Sequence, residues 1–214
     1  MIYEGKQKIW SEYQKDIPDD HYFYVRSCIR QSFFPASEKV FLDITRNKLG
    51  KDFFETEHHT TCGGIAYHSD AIPQETSMTI IARQFALMHK YGYQNYVCSC
   101  ITSFGLYTET LETWREFPEL EAKIRENLWE SCRLEFAKPK YLAHASDLIY
   151  KFRNQIASQA KFKLIEKKTG RPLRVVEHIG CHYAKMFPSK GFGGAEYPYV
   201  LAGMIEAWGG EVID

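Results

Sequence analysis

Cysteines occur at three widely separated places in the chain, and each place lies next to a predicted strand end or a glycine turn. In order these are Cys28, then after 33 residues Cys62 with Gly63 and Gly64, then after 35 more Cys98 and Cys100. The carboxyl ends of strands in an α/β sheet lie along one edge, so residues distant in sequence meet there. The spacing therefore predicts an α/β fold in which these thiols converge on one metal site.

Stretches typical of helices alternate with stretches typical of strands. Aromatic and β-branched residues predict a strand over residues 21–27, which delivers Cys28, and a short strand over residues 95–98. Residues 163–168 and 173–179 are predicted to form a hairpin or a strand–turn–strand unit. Proline starts, glycine stops and apolar spacing predict helices over residues 35–50, 73–92, 106–114, 118–136, 146–160 and 196–208. The pattern predicts the α/β class, with a short parallel-type sheet flanked by helices.

One feature of the sequence is repeated. Cys28 and Cys181 are each followed, six and seven residues later, by the dipeptide Phe-Pro, which then enters a predicted helix. The chain ends before the second copy reaches its next cysteine. We therefore expect an N-terminal arm over residues 1–20, a first unit over residues 21–162, and the truncated beginning of a second unit over residues 163–214.

Charge and hydropathy exclude two classes of function. The 214 residues include 27 basic and 27 acidic side chains and no basic run, so nothing supplies the general attraction to phosphates that nucleic-acid binding needs. The longest apolar stretch, residues 199–205, is too short for a membrane span, which takes about 20 residues. The first residues lack the apolar core of a signal peptide. We expect a cytoplasmic protein whose six cysteines are thiols.

Iron–sulfur chemistry suits the cysteine spacing better than structural zinc does. Structural zinc sites usually take two close cysteine pairs, whereas this chain has a single close pair, Cys98 and Cys100. The backbone N–H groups of Gly63 and Gly64 are predicted to donate to cluster sulfides and so to stabilise negative charge. Zinc and buried apolar thiols are the alternative interpretations, and Cys132 is expected to be a buried thiol.

Histidines near the cysteines are candidate ligands, although hydrogen-bonded structural roles are the more common use of such residues. They are His58, His59, His68, His178 and His182. Tyr67 and His68 are neighbours of the glycines, and the sequence assigns no catalytic residue or proton donor.

The cysteine pattern resembles the cysteine-rich CCG motif found in the B subunits of the heterodisulfide reductase family. That motif reads Cys, a long spacer, Cys-Cys-Gly, a second long spacer and Cys-x-x-Cys, and both spacings of this chain agree with it. Family members carry two such units in tandem, which accounts for Cys181 as the first cysteine of a second motif. Residues 66–70, 100–105 and 194–210 are most similar to the related proteins of sulfur-oxidation complexes. The resemblance covers roughly residues 20–214.

The resemblance implies a [4Fe–4S] cluster, of the noncubane type where the motif is complete, that binds the sulfur of a disulfide at iron. It also implies that Cys28, Cys62 and Cys98 match motif cysteines, and that electrons pass to or from flavin-containing and ferredoxin-like subunits.

Two positions depart from the motif. Thr61 stands where the first cysteine of Cys-Cys is expected, and Ile101 stands where the closing cysteine is expected, with Cys100 one place early. An ordinary four-cysteine cluster, a degenerate site and a site without metal are therefore open alternatives for this unit.

We expect an iron–sulfur electron-transfer subunit of a heterodisulfide-reductase-like complex. It would be an oxidoreductase subunit, active only within the complex, that acts on disulfide or sulfane-sulfur carriers in sulfur metabolism. The alternatives are a metal-free scaffold that docks partner subunits and a structural zinc domain.

Overall fold

A four-stranded parallel sheet carries the cysteine-bearing segments. The computed structural model describes residues 17–178 and 199–213. The strands of the sheet are β1 (Tyr22–Val25), β2 (Phe53–Phe54), β3 (Asn95–Cys98) and β4 (Tyr141–His144). They lie in the order β2-β1-β3-β4, and each neighbouring pair is parallel. The predicted α/β class with a short parallel sheet is therefore confirmed.

The sequence of β1 explains its central place in the sheet. All four of its residues are buried, and they are apolar or aromatic without the alternation of a half-exposed strand. Such continuous runs are typical of parallel strands that are covered on both faces. Val25 pairs with Cys98, and Cys98 pairs with His144. The last residues of β1, β3 and β4 therefore lie side by side at one edge.

Within the described residues, helices lie between successive strands of the chain. They are α1 (Cys28–Phe33), α2 (Pro35–Leu42), α3 (Gly64–His68), α4 (Gln74–Lys90), α5 (Ile101–Glu116), α6 (Pro118–Cys132), α7 (Ala145–Lys151), α8 (Arg153–Gln159) and α9 (Tyr199–Ala207). A π-helix, Asp43–Lys48, continues directly from α2. No helix of the described residues is both long enough and apolar enough to cross a bilayer.

The longest helix, α4, forms where the apolar spacing predicts it. Met78, Ile81, Phe85 and Met88 are spaced by three and four residues, and all four are buried. After the helix, Gly92 takes a φ of +81°, and its N–H donates to the carbonyl of His89 at 3.0 Å. A left-handed glycine that satisfies a late helical carbonyl is a common way to end a helix.

Aromatic rings fill the core beside the sheet. Tyr96 of β3 makes edge contacts with Phe85 and with Tyr107, with ring centroids 5.2 Å apart in each pair. Trp114 contacts Phe136 with centroids 5.0 Å apart. The two pairs with Tyr96 hold α4 and α5 on the sheet, because buried aromatic rings combine large apolar area with a preferred geometry.

The described residues form two compact units. The sheet unit contains residues 19–42 and 51–144, and the second unit contains residues 17–18, 43–50, 145–178 and 199–213. In the second unit, β5 (Arg174–Val175) pairs in parallel with β6 (Glu211–Val212). The boundaries proposed for two CCG-type units stay a prediction.

Some helix boundaries differ from those predicted. Cys28 begins α1 because Ser27 caps this short helix, which the sequence pattern did not indicate. The helix predicted over residues 35–50 is an α-helix only to Leu42, after which the backbone continues as the π-helix. The helix predicted over residues 118–136 ends at Cys132, where Arg133 takes the left-handed conformation.

The later elements differ as well. β4 was not predicted, because its four residues lack a clear alternation of apolar and polar side chains. The helix predicted over residues 146–160 is split into α7 and α8. The predicted hairpin is limited to an antiparallel bridge between Ile165 and Pro172, and β5 pairs with β6 instead.

Candidate thiol site

Cys28 lies at the first position of α1, just after β1. Ser27 caps this helix, and its Oγ accepts a hydrogen bond from the backbone N–H of Arg30 at 3.1 Å. The hydroxyl of Thr61 donates to the Cys28 Sγ at 3.5 Å. The Cys28 side chain is half-buried. Its sulfur therefore has a polar partner on one side and is partly open to solvent.

Cys62 is buried, and two donors face its sulfur. The Ser103 Oγ donates to the Cys62 Sγ at 3.1 Å, and the backbone N–H of Gly64 donates at 3.4 Å. Burial raises the pKa of the Cys62 thiol, while the bonds from Ser103 and Gly64 lower it in part. Negative charge at Cys100 and Cys28 raises the pKa further. Cys28 and Cys100 thus each lie within electrostatic reach of the Cys62 sulfur.

The two glycines allow the backbone to approach the Cys62 sulfur. Gly63 precedes α3 with a φ of +73°, which glycine adopts at low cost. A Cβ at Gly64 would lie 2.8 Å from the Leu106 Cδ1 and 3.2 Å from the Cys62 Sγ. The N–H of Gly63 donates to the Thr61 Oγ1 at 3.4 Å rather than to a sulfur. A role for Gly63 and Gly64 in binding a cluster stays a prediction.

Cys98 is the last residue of β3, and Cys100 is the N-cap residue immediately before α5. Cys98 is 1% exposed, and its Sγ lies 3.8 Å from the carbonyl oxygens of Cys100 and of Ala143, either of which can accept its single S–H proton. Cys100 is half-buried and caps α5 with an extended backbone. The Cys98 thiol therefore faces carbonyl groups, whereas the Cys100 thiol lies in the neighbourhood of Cys62.

Polar residues that the sequence analysis did not single out join the loops that carry the cysteines. Ser99 contacts the backbone of Ser27 and the carboxylate of Glu38, and Arg30 contacts the carbonyl of Ser99. Ser99 and Ser103 lie close in sequence to Cys98 and Cys100, and this proximity is the feature from which their place in the site could have been predicted. Glu38 gave no local signal, because its partner Ser99 is 61 residues away.

His144 is a further neighbour of this edge. It ends β4 and pairs with Cys98, and its Nε2 atom is buried. Burial, with a smaller contribution from the positive charge of Arg30, lowers the pKa of His144 to about 4. The imidazole is therefore neutral at pH 7.

The histidines expected to have structural roles are placed as follows. The N–H of His58 donates to the Thr56 Oγ1 at 3.2 Å, and the His59 Nδ1 lies 2.5 Å from the Thr56 carbonyl oxygen. The rings of Tyr67 and His68 contact each other with centroids 5.4 Å apart. His178 is exposed. His182 and Cys181 lie outside the described residues, so the structure says nothing of their predicted roles.

The donor chemistry of the site suits an iron–sulfur group, but the ligands are not gathered as in a formed metal site. Hydroxyl and amide donors face the sulfurs of Cys28 and Cys62, as sulfur ligands of a cluster prefer. Within residues 17–178 and 199–213, however, no three Cys, His, Asp or Glu side chains are positioned to hold a metal ion. The predicted ligand set of Cys28, Cys62, Cys98 and Cys100 therefore stays a prediction.

Cys132 differs from its expected role. It is exposed rather than buried. Cys132 is the last residue of α6, and the chain turns away at Arg133, whose φ is +55°. The described part of the chain thus offers a free thiol at the surface of the sheet unit, away from the helical interior.

Taken together, the parallel sheet and the loops at its edge define an α/β protein with a thiol site at the carboxyl ends of its strands. The chain matches no protein-family model. It is 24% identical over 196 residues to the B subunit of a ferredoxin:CoB-CoM heterodisulfide reductase of Methanosarcina acetivorans. The predicted resemblance is confirmed: this chain is similar to a heterodisulfide reductase B subunit. The match covers 91% of this chain and 62% of the relative.

Proposed function

We propose that the chain is an iron–sulfur electron-transfer subunit of a heterodisulfide-reductase-like complex. Its similarity to the B subunit of a heterodisulfide reductase supports this role. The observation that carries the proposal is the set of neighbours around Cys62, where Ser103 and Gly64 donate to the sulfur and the thiols of Cys28 and Cys100 lie within electrostatic reach. Donors around sulfur stabilise the negative charge of a cluster and tune its reduction potential.

The proposed ligands in the first unit are Cys28, Cys62, Cys98 and Cys100, which would hold a [4Fe–4S] cluster. Cys181 would be the first ligand of a second motif. When bound, such a cluster, with each iron ligated by a cysteine, would accept and donate single electrons within the complex.

The residues at the two departures from the motif favour an ordinary four-cysteine cluster over a noncubane one. Thr61 presents its hydroxyl to the Cys28 Sγ at 3.5 Å, where the family motif has a cysteine. Ile101 is likewise not a ligand. Thr61 can donate a hydrogen bond to a ligating sulfur but does not itself replace a thiolate.

The role of Gly63 and Gly64 in this proposal is to give the backbone access to the cluster. The Gly64 N–H already faces the Cys62 sulfur. Gly63 adopts a positive φ immediately before α3, whose first residue is Gly64. Ser103 adds a hydroxyl donor from α5.

The substrate proposed is a disulfide or sulfane-sulfur carrier of sulfur metabolism. The similarity of residues 66–70, 100–105 and 194–210 to the related proteins of sulfur-oxidation complexes supports this choice. The proposed partners are flavin-containing and ferredoxin-like subunits, and the proposed compartment is the cytoplasm. The chain spans 62% of the length of its curated relative. We therefore propose the activity for the assembled complex and not for this chain alone.

Metal analysis tests the proposal directly. The chain is purified without oxygen and reconstituted with iron and sulfide. We expect about four iron atoms and about four acid-labile sulfides for each chain. Cys62→Ser should lose most of this iron, whereas Cys132→Ser, which changes an exposed thiol of the same unit, should retain it. A colourless, iron-free chain after reconstitution contradicts the proposal, and one equivalent of zinc instead of iron indicates a structural zinc domain.

A metal-free scaffold is the second candidate. The observation that favours it is the absence, within the described residues, of three Cys, His, Asp or Glu side chains positioned to hold a metal ion. If the chain is a scaffold, the iron-free wild-type chain and the iron-free Cys62→Ser variant should bind a flavin-containing partner equally well. Loss of binding in Cys62→Ser would contradict the scaffold function.

A further inference from the structure

A buried carboxylate lies between two of the cysteine-bearing loops. Glu38, on α2, is 4% exposed. Its Oε1 accepts a hydrogen bond from the Ser99 Oγ at 2.7 Å, and its Oε2 accepts one from the hydroxyl of Tyr24. The Arg30 Nε lies 3.5 Å from Oε1. A carboxylate this deeply buried needs such partners, because removal from water costs free energy that hydrogen bonds and opposite charge must offset.

Ser99 carries the connection from Glu38 to the loop before α1. The Ser99 Oγ also accepts a hydrogen bond from the backbone N–H of Ser27 at 3.2 Å. The Arg30 Nη1 donates to the Ser99 carbonyl oxygen at 3.3 Å, and the Arg30 N–H donates to the Ser27 Oγ at 3.1 Å. The residue before Cys28 and the residue between Cys98 and Cys100 are therefore held together through both side chain and backbone.

The donors around Glu38 are fixed in place. Burial, reinforced by the bond to Glu38, raises the pKa of the Tyr24 phenol, which therefore stays protonated and remains a donor. Arg30 is held from a third direction by a bond to the Ser37 Oγ at 2.9 Å. An apolar residue at position 38 could fill the same space, but it could not fix the orientation of the Ser99 hydroxyl.

We propose that Glu38 is a positioning residue that acts through Ser99 to hold the Cys98 and Cys100 segment against the Cys28 loop. We call this contact the Glu38–Ser99 bridge. Its use in placing ligands for a cluster rests on the proposed function, whereas the bridge itself does not. The bridge joins the two cysteine-bearing loops in the metal-free chain.

Alkylation of individual thiols in the reduced, metal-free chain tests the bridge. Cys98 is 1% exposed, so iodoacetamide reaches it only when its segment opens, and its rate follows the equilibrium constant for that opening. Ser99→Ala removes the hydroxyl that Glu38 binds. Because hydrogen bonds to charged groups are among the stronger ones, we expect the Cys98 rate, read by peptide mass spectrometry, to rise about ten- to hundred-fold.

Three controls separate the bridge from a general loss of structure. The exposed thiol of Cys132 should react at an unchanged rate in every variant. Ser77→Ala removes a buried hydroxyl that has no hydrogen-bond partner among the described residues, and the Cys98 rate should stay within about twofold of wild type. Ser99→Thr keeps a hydroxyl at the bridge and should return the rate toward the wild-type value.

Glu38→Gln gives a second, milder test, which applies even if Ser99→Ala does not fold. Glutamine keeps an acceptor for the Ser99 hydroxyl but loses the charge that attracts Arg30. We expect a Cys98 rate between those of wild type and Ser99→Ala. The proposal is overturned if neither variant exceeds Ser77→Ala, or if Cys62 and Cys98 accelerate by the same factor, which indicates opening of the whole sheet unit.

The bridge and the cluster can fail separately. If the chain binds no iron but Cys98 alkylation accelerates as expected, the bridge is supported and the cluster is contradicted. If the chain binds iron but Cys98 alkylation does not accelerate, the cluster is supported and the bridge is contradicted.

Discussion

Gly64 shows how one residue without a side chain shapes the thiol site. Its position between Cys62 and α5 leaves no room for a Cβ, which would meet the Leu106 Cδ1 at 2.8 Å and the Cys62 Sγ at 3.2 Å. The same closeness lets its N–H reach the Cys62 sulfur. The glycine therefore serves packing and hydrogen bonding at once.

Replacement of this glycine should destabilise the sheet unit. We expect Gly64→Ala to lower the free energy of unfolding by about 1–3 kcal/mol, because the added methyl group overpacks the contact with Leu106. Urea unfolding followed by circular dichroism measures the change. Ile65→Ala, at an exposed position on the same helix, should stay within about 0.5 kcal/mol of wild type. If Gly64→Ala and Ile65→Ala changed the free energy of unfolding equally, the close contact at Gly64 would be relieved without loss of stability, which contradicts the prediction.

His144 should make the stability of the metal-free chain depend on pH. Its pKa in the folded chain is about 4, below the unfolded value of about 6.5, so the unfolded chain binds the proton more readily. Stability from the neutral ring is complete above about pH 6.5 and is lost as the pH falls toward 4, by up to about 3 kcal/mol. Urea unfolding between these pH values measures the loss. His144→Gln should flatten that dependence, and an unchanged slope in this variant would contradict the assignment.

The sequence predicted part of this site for a clear physical reason. Cysteines and paired glycines at strand ends are local signals, so the loops with Cys62 and Cys98 were identified. The Glu38–Ser99 bridge could not be predicted, because it joins residues 61 positions apart that look like ordinary surface residues in sequence. Burial of a glutamate becomes visible only when the fold encloses it.

At the scale of elements, strongly periodic helices were predicted best. The apolar spacing and the terminal glycine located α4 to within a few residues. The short elements α1 and β4 were missed, since a capped turn and a four-residue strand carry too few residues to establish a period. The π-helix after α2 was read as α-helix, because apolar spacing alone does not distinguish the two.

The buried face of α6 gives a prediction for an element. Leu128 is 1% exposed and its neighbour Trp129 is 47% exposed, so adjacent residues of one helix lie on opposite faces. We expect Leu128→Ala to cost about 2–5 kcal/mol through lost burial and a cavity, and Trp129→Ala to cost less than about 1 kcal/mol. Chemical denaturation compares them. A larger loss in the tryptophan variant would mean that its exposed ring is packed in solution.

At the scale of the whole molecule, zero net charge combines with exposed apolar side chains. The 27 basic and 27 acidic residues give no net repulsion between molecules near neutral pH. On α1, Ile29 and Phe33 are four residues apart and both exposed, and Phe34 follows directly. This apolar surface favours self-association of the isolated chain.

Light scattering at pH 7 and low salt checks that expectation. We expect Phe33→Ser to weaken self-association and to raise the second virial coefficient. Phe162→Ser is the matched control, because Phe162 is 68% exposed against 73% for Phe33 but stands between two lysines in sequence. A larger effect of the control would place the self-association surface in the second unit instead.

The position of β1 inside the sheet sets an order of events during synthesis. β1 pairs with β2 on one side and with β3 on the other, and Tyr22 lies opposite Asn95. A ribosome releases Tyr22 long before Asn95, so the nascent aromatic segment has no second partner until β3 emerges. A chaperone that shields this segment would therefore act early in translation. The proposed cluster could form only after Cys98 and Cys100 have also been synthesised, because its ligands come from the loops that follow both β1 and β3.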